Sequence, residues 1–182
     1  SISLTKTGFR DSLALQPASL ATSREHLAGQ LAALDPAPFR RGVIGLVGIG
    51  ASLQAAQAAA QAMRLRGLKA IALCASDLFD PAVQAADAYI AISASGRSVE
   101  VVRAMALRPD SPRLAICKIP DSPLSGAVDA TLAMASGVDS SPYTTSYTAT
   151  VQALALLADR LVDEPSYRWV ELPAVLAQVI ST

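Results

Sequence analysis

Apolar residues recur at helical spacing from Leu13 to Leu34, with Leu13, Leu20, Leu27, Leu31 and Leu34 on one face. The spacing predicts a helix that Pro36 and Pro38 stop. Gln16-Pro17 sits near its start, where a missing amide proton costs little. The pattern then changes. Val43-Ile44-Gly45-Leu46-Val47 is a continuous apolar run of strand length, suited to a strand buried on both faces of a parallel sheet. Gly48 to Ser52 reads as a glycine-rich turn, and Gln54–Arg66 as an alanine-rich helix ended by Gly67. The alternation continues. Lys69–Cys74, Tyr89–Ile92, Arg113–Cys117 and Ala130–Met134 read as strands. Asp77–Ala86 reads as a short helix and Ser98–Leu107 as another, with a further short helix near Leu124. A polar loop, Ser136 to Thr145, leads into a long apolar helix ending at Leu161, and Leu172–Ile180 closes the chain as a helix.

Strands alternating with helices imply a doubly wound α/β fold. The expectation is a three-layer αβα domain with a five-stranded parallel sheet, flavodoxin-like, in the order 2-1-3-4-5. At 182 residues the chain reads as a single domain over 1–182. It divides into an N-terminal helical segment (1–40), an α/β core (41–165) and a C-terminal helix (166–182).

Composition narrows the picture. Hydrophobic residues make up 52% and aromatics only 4%, so the core is expected to be Ala, Leu, Val and Ile. Fifteen basic and fifteen acidic residues cancel, and no basic stripe stands out. That argues against nucleic acid as a partner and leaves little charge to oppose self-association. No apolar run approaches the ~20 residues of a membrane span, so no membrane role is expected. The first residues lack a basic segment followed by an apolar one, so the cytoplasm is the expected location. Cys74 and Cys117 each end an apolar run and read as small buried hydrophobes. His26 is the one histidine and cannot build a His-rich metal site by itself, so neither metal nor cofactor is expected.

In such a sheet, ligands bind beyond the carboxyl ends of the strands where strand order reverses, here between the first and third strands. The loops there are Gly48-Ile49-Gly50-Ala51-Ser52 and Ser93-Ala94-Ser95-Gly96-Arg97-Ser98. Both precede a helix, whose N-terminal amides favour an anion. The second loop puts three hydroxyls, Ser93, Ser95 and Ser98, within six residues. It can surround a phosphate with hydroxyl and N–H donors and no lysine. The same serines also suit plain helix capping. A dinucleotide fingerprint is the rival reading of Gly48-x-Gly50, but Leu53 occupies its third glycine position.

Taken together, these loops resemble those of the SIS (sugar isomerase) domain family, especially the isomerase portion of glucosamine-6-phosphate synthase and related deaminases. Gln16-Pro17 resembles the Gln-Pro that opens the first helix of that group. Gly48-Ile49-Gly50-Ala51-Ser52 resembles its Gly-x-Gly-Thr-Ser turn, with Ala for Thr. Ser93 to Ser98 resembles Ser-x-Ser-Gly-Glu-Thr, with Arg97 for Glu, and Glu100 falls where the pattern has Asp. Ala135 to Thr150 resembles the segment Ala-Gly-x-Glu-x-x-Val-Ala-Ser-Thr-Lys and the start of the helix after it, with Asp139 matching the Glu and Ser141 the Val.

The resemblance implies a sugar phosphate ligand, such as an aminosugar or ketose phosphate. Ser93, Ala94, Ser95 and Ser98 would hold the phosphate. Gly50, Ala51 and Ser52 would contact the phosphate or a sugar hydroxyl, and Ser141 would approach the sugar. It also implies an isomerase or deaminase, which needs a carboxylate or imidazole to move a proton between adjacent carbons. The candidates are Glu100, His26 and Asp139, with His26 on a helix that in this family can reach a neighbouring subunit's site. Tyr143 and Tyr147 read as packing residues.

The pattern also departs from the family. Thr145 replaces the Lys of Ser-Thr-Lys, and the synthase-type relatives carry two SIS units where this chain carries one. A homodimer or homotetramer is therefore expected. The alternative is a phosphosugar sensor or regulatory subunit without turnover. A regulator joined to a helix-turn-helix is disfavoured by the neutral charge and the single helix before the first strand.

Overall fold

The computed structural model describes residues 9–136, 144–164 and 177–178. The chain enters through a long helix, α1 (Phe9–Ala33), and a single turn, α2 (Ala37–Arg40). Strand β1 (Val43–Gly48) follows, then α3 (Ala51–Leu65), β2 (Lys69–Cys74) and β3 (Ala88–Ile92). The remainder is α4 (Val99–Ala106), β4 (Arg113–Cys117), β5 (Ala130–Ala133) and α5 (Thr144–Val162). The sheet is five-stranded in the order β2-β1-β3-β4-β5. Every pairing is parallel, with Leu46 of β1 opposite Ala72 of β2 and Ile90 of β3. The expected fold class and strand order are what the chain adopts.

Strand residues alternate between two cores, as the two-residue side-chain period dictates. Leu46, Ile90, Ile92 and Ile116 pack with Leu27 of α1, Met63 of α3 and Leu157 of α5. Val47, Tyr89, Ala91 and Ala115 face the other side and pack with Leu78, Val101 and Met105. Alanine and branched aliphatics fill most of both, as the composition implied. The core also takes in Phe39, Tyr89 and, against expectation, Arg108.

Arg108 is tied to a correction. The stretch Asp77–Ala86 is no helix: a 3-10 turn at Ala75–Leu78 is followed by irregular chain up to β3. Pro81 lacks an amide proton and biases Asp80 away from helical backbone. Asp80 instead accepts the Ala82 N–H through Oδ1 at 2.9 Å. Carbonyls that a helix would have satisfied are met by Arg108, which is 2% exposed. Its guanidinium donates to Leu78 O at 2.7 Å, Val83 O at 2.9 Å and Asp80 O at 3.3 Å. It also donates to Ala104 O and lies over the Tyr89 ring.

Three smaller differences concern local detail. Helix α1 begins at Phe9, so Pro17 stands inside it, not near its start. The turn α2 has no counterpart in the expected elements; it buries Phe39, and the Asp35 carboxylate accepts the Ala37 N–H. Cys117 is buried as expected, but Cys74 is only half-buried, with Sγ 3.1 Å from Ser76 Oγ. The expected helix Leu172–Ile180 lies outside the described residues except at 177–178, which are helical. Among the described residues, no helix is long and apolar enough to cross a membrane.

At the carboxyl end of the edge strand β5, the outward backbone groups of Ala133 are met by a side chain. The Gln30 amide of α1 accepts the Ala133 N–H at 2.8 Å and donates to the Ala133 carbonyl at 3.0 Å. It satisfies both backbone groups as a sixth strand would, and fixes α1 against the sheet.

Candidate functional site

Strands β1 and β3 are neighbours, yet their following helices leave on opposite faces of the sheet. Their carboxyl ends therefore frame the crevice where strand order reverses. At the β1 end, α3 starts so close that a Cβ on Gly48 would lie 2.7 Å from the Ser52 carbonyl carbon. Gly50 caps α3 at φ +58°, and its carbonyl accepts from Leu53 and Gln54. The Ala51 and Ser52 amides have no carbonyl ahead of them in the helix.

The β3–α4 turn is built around Gly96, at φ +67°. A Cβ there would run into Ser122 Oγ and lie 2.5 Å from Ser122 Cβ, so glycine is required for both conformation and space. The turn is pinned to the next loop, with Lys118 N–H donating to Ala94 O and Leu124 N–H to Gly96 O, both at 2.9 Å. Within it, the Ser95 hydroxyl accepts the Arg97 N–H at 3.2 Å, and the buried Ser93 hydroxyl faces the Ser98 N–H at 3.5 Å. Ser98 is the N-cap of α4, but its hydroxyl does not cap. It donates to Glu100 Oε2 at 3.2 Å instead. Behind Gly96, burial pushes the Cys117 thiol up from its usual range, and hydrogen bonds with Ser122, Ser125 and the Ile119 backbone offset that only in part.

Between these two turns and the start of α5 lies a cavity of about 110 Å³. It is lined by Ala51, Ser52 and Ala55 of α3, Ala94, and Ser146, Tyr147 and Thr150 of α5. That is room for roughly three or four waters at ~30 Å³ each, or for a small anion. Of the expected residues, the structure brings Ala51, Ser52 and Ala94 to this cavity, with Gly50 at its margin and Ser93, Ser95 and Ser98 in the adjoining turn. It does not bring His26 there: His26 is exposed on α1, and its backbone carbonyl accepts from Gln30. Glu100 is engaged by Ser98 and does not line the cavity. Asp139 and Ser141 lie outside the described residues.

Two lining hydroxyls, Ser146 and Thr150, were missed. They stand one helical turn apart on α5, so both reach the same face. The Thr150 hydroxyl donates back to the Ser146 carbonyl at 2.7 Å, which leaves its oxygen as an acceptor. Tyr147, read as packing, also lines the cavity. A larger cavity of about 430 Å³ lies at the amino ends of β4 and β5. Its walls include Leu34, Pro38, Phe39 and Leu132, with the Arg113–Asp129 ion pair at its side. It has no hydroxyl-rich turn, its one helix start is the single turn α2, and it lies at the wrong end of the strands for an α/β ligand site.

The family model of the SIS domain matches residues 40–160. The chain belongs to the SIS domain family. Curated proteins give no sequence match. Among solved structures, a protein described as a candidate phosphosugar isomerase from Silicibacter pomeroyi DSS-3 superposes with a TM-score of 0.79 at 21% identity. The match covers 93% of this chain and 55% of that one. The NanR protein of Vibrio vulnificus, in complex with ManNAc-6P, is 26% identical with a TM-score of 0.67, over 96% of this chain and 68% of that one. The C-terminal domain of glucosamine-fructose-6-phosphate aminotransferase from Francisella tularensis is 17% identical with a TM-score of 0.76. It is matched over all of this SIS chain and 55% of its own length. The first and third likenesses show the fold alone. This chain spans about half the length of both.

Proposed function

We propose that this SIS domain binds a sugar phosphate at the crevice between β1 and β3. The observation that carries the proposal is one cavity lined by Ser52 at the N-terminus of α3, Ala94 of the β3–α4 turn and Ser146 and Thr150 of α5, with Ser93 and Ser95 in the adjoining turn that leads into α4. Hydroxyls, free amides and helix dipoles suit an anion without a lysine. In this reading Ser93, Ser95, Ser98 and the Ala94 backbone hold the phosphate. Gly50, Ala51 and Ser52 hold its edge or a sugar hydroxyl, and Ser141 approaches the sugar. NanR, solved with ManNAc-6P, supports the ligand class.

As an enzyme the protein would be an aldose–ketose isomerase or deaminase acting on an aminosugar or ketose phosphate. Isomerisation takes a proton from one carbon and returns it to its neighbour, so a base that then serves as acid is needed. Glu100, Asp139 and a second copy's His26 are the groups proposed for that work, in a homodimer or homotetramer. A second reading, a phosphosugar sensor, is favoured by one observation. The lining of the cavity holds hydroxyls and methyls but, among the described residues, neither carboxylate nor imidazole.

A thermal-shift screen against hexose, aminohexose and heptose phosphates tests binding, and assays of the hits for turnover separate the readings. A true ligand at one hundredfold its Kd adds ~2.7 kcal/mol of stability. No shift with any sugar phosphate contradicts both readings, while binding without turnover selects the sensor.

A further inference from the structure

From Ala51 to Met63, α3 has no charged residue, and from Thr144 to Ala158 neither does α5. Between them runs a groove of about 310 Å³, walled by Ala58, Ala59, Ala62, Val151, Leu154 and Ala155. Ala58, Ala62 and Val151 are exposed. At the foot of the groove stands Arg66, the C-cap of α3. Its guanidinium pairs with Asp159 Oδ1 at 2.5 Å and donates to the Glu164 carbonyl. Helix α5 ends there in a turn. Asp163 has left-handed backbone at φ +56°, and the Glu164 N–H donates to Asp159 O at 3.3 Å. Together these make a Schellman turn, which takes the chain off the helix axis, and Pro165 cannot continue the helix. Arg66 therefore holds the departing chain on the α3 side, at the foot of the groove.

We infer that residues 172–180 dock as a helix in the α3–α5 groove of their own chain. Where the chain leaves α5 is the first reason. Glu164 is already held at the groove's foot, and the connection 165–171 reaches up to ~20 Å from it. The second is pattern. Leu172, Val175, Leu176 and Val179 recur at helical spacing on one stripe, with Pro173 in the first turn. Ala177 and Gln178 are helical and exposed, and both fall on the side of such a helix away from that stripe. The third is charge. From Leu172 to Thr182 no residue is charged, so the segment leaves no charge stranded against the neutral walls of the groove. The lengths also agree. At 1.5 Å per residue the helix spans ~13 Å, and the groove from Arg66 to Ala55 runs ~16 Å. Ala55 belongs to both the groove and the candidate cavity, so the end of the docked segment borders the cavity mouth. That consequence, unlike the docking itself, rests on the sugar-phosphate reading.

The test is hydrogen exchange and melting of the whole chain, without ligand, across a concentration series. The amides of 176–180 are expected to be protected at every concentration, and to lose that protection more than tenfold in Ala58→Glu. Ala58→Glu and Leu176→Ser are each expected to lower the melting temperature by several degrees. Together they should lower it little further than the worse of the two, because both break one contact. Ala106→Lys, exposed on the opposite face of the sheet, is expected to leave the exchange of 176–180 unchanged. Unprotected amides in wild type, protection that Ala58→Glu leaves intact, or melting losses that add would overturn the inference whatever the ligand screen shows. Protection that fades on dilution would overturn it too, since a second copy would then cover the face.

Discussion

The Ser98 hydroxyl donates to the Glu100 carboxylate at 3.2 Å, across the first turn of α4. A carboxylate thus occupies the hydroxyl that the phosphate reading assigns to the ligand. The ligand must draw that hydroxyl away from Glu100 and tolerate its negative charge nearby. Glu100→Gln is expected to tighten sugar-phosphate binding, about tenfold at low salt and less as salt rises. Ser98→Ala is expected to weaken it by roughly ten- to one hundredfold, the range of a hydrogen bond to a charged group. Calorimetric titration at two salt concentrations measures both.

Gly96 joins the serine turn to Ser122. Gly96→Ala meets two separate penalties, the left-handed backbone and the collision with the Ser122 side chain. The backbone part alone costs about 1–2 kcal/mol. Adding Ser122→Ala removes the Oγ contact but leaves the Cβ at position 122 2.5 Å from the new Cβ, so the double variant is expected to recover only part of the steric cost and to melt well below wild type. Equal melting of wild type and Gly96→Ala would show that the turn does not need glycine.

Arg108 takes the place of a helix. Arg108→Met removes donors from buried carbonyls at Leu78, Val83 and Ala104 and should cost roughly 3 kcal/mol in urea unfolding. Arg108→Lys is expected to recover only part, because an ammonium cannot fork to carbonyls spread over this distance. The β2–β3 connection should show the largest rise in hydrogen exchange.

Asp129 gives the pH dependence a sign. Burial alone would raise its carboxyl. The Arg113 side-chain hydrogen bond, its backbone N–H and its charge outweigh that and hold the carboxyl below the usual range. A depressed group contributes stability that is full above its unfolded value and is lost as pH falls through the folded one. Its side chain is 55% exposed, so the contribution is at most about 1 kcal/mol. Asp129→Asn should be less stable than wild type by that amount at neutral pH, and the difference should vanish as pH falls through the folded value of Asp129, which flattens the acid limb.

The strands were legible because a run apolar on both faces has one place to go, the middle of a parallel sheet. Lys69–Cys74 and Arg113–Cys117 are bounded as their patterns suggest. The Asp77–Ala86 stretch misled because its apolar spacing looks helical while Pro81 forbids the geometry. Its partner Arg108 was invisible in sequence: arginine is rarely buried, and the carbonyls it meets lie 25 and 30 residues away. In the site, glycines and serines at strand ends pointed to both turns. Ser146 and Thr150 were missed because hydroxyls inside an apolar helix carry no local signal. Only the packing of α5 beside Ser52 gives them a common cavity.

The most direct test of the sugar-phosphate site is a paired titration. Each sugar phosphate that stabilises the protein is titrated beside the same sugar without its phosphate, into wild type, Ser52→Ala and Ser95→Ala. The expected result is saturable binding of the phosphorylated sugar alone, weakened at least tenfold by either substitution in proteins that melt like wild type. Equal binding of both sugars, or phosphate-dependent binding that neither substitution disturbs, would contradict it.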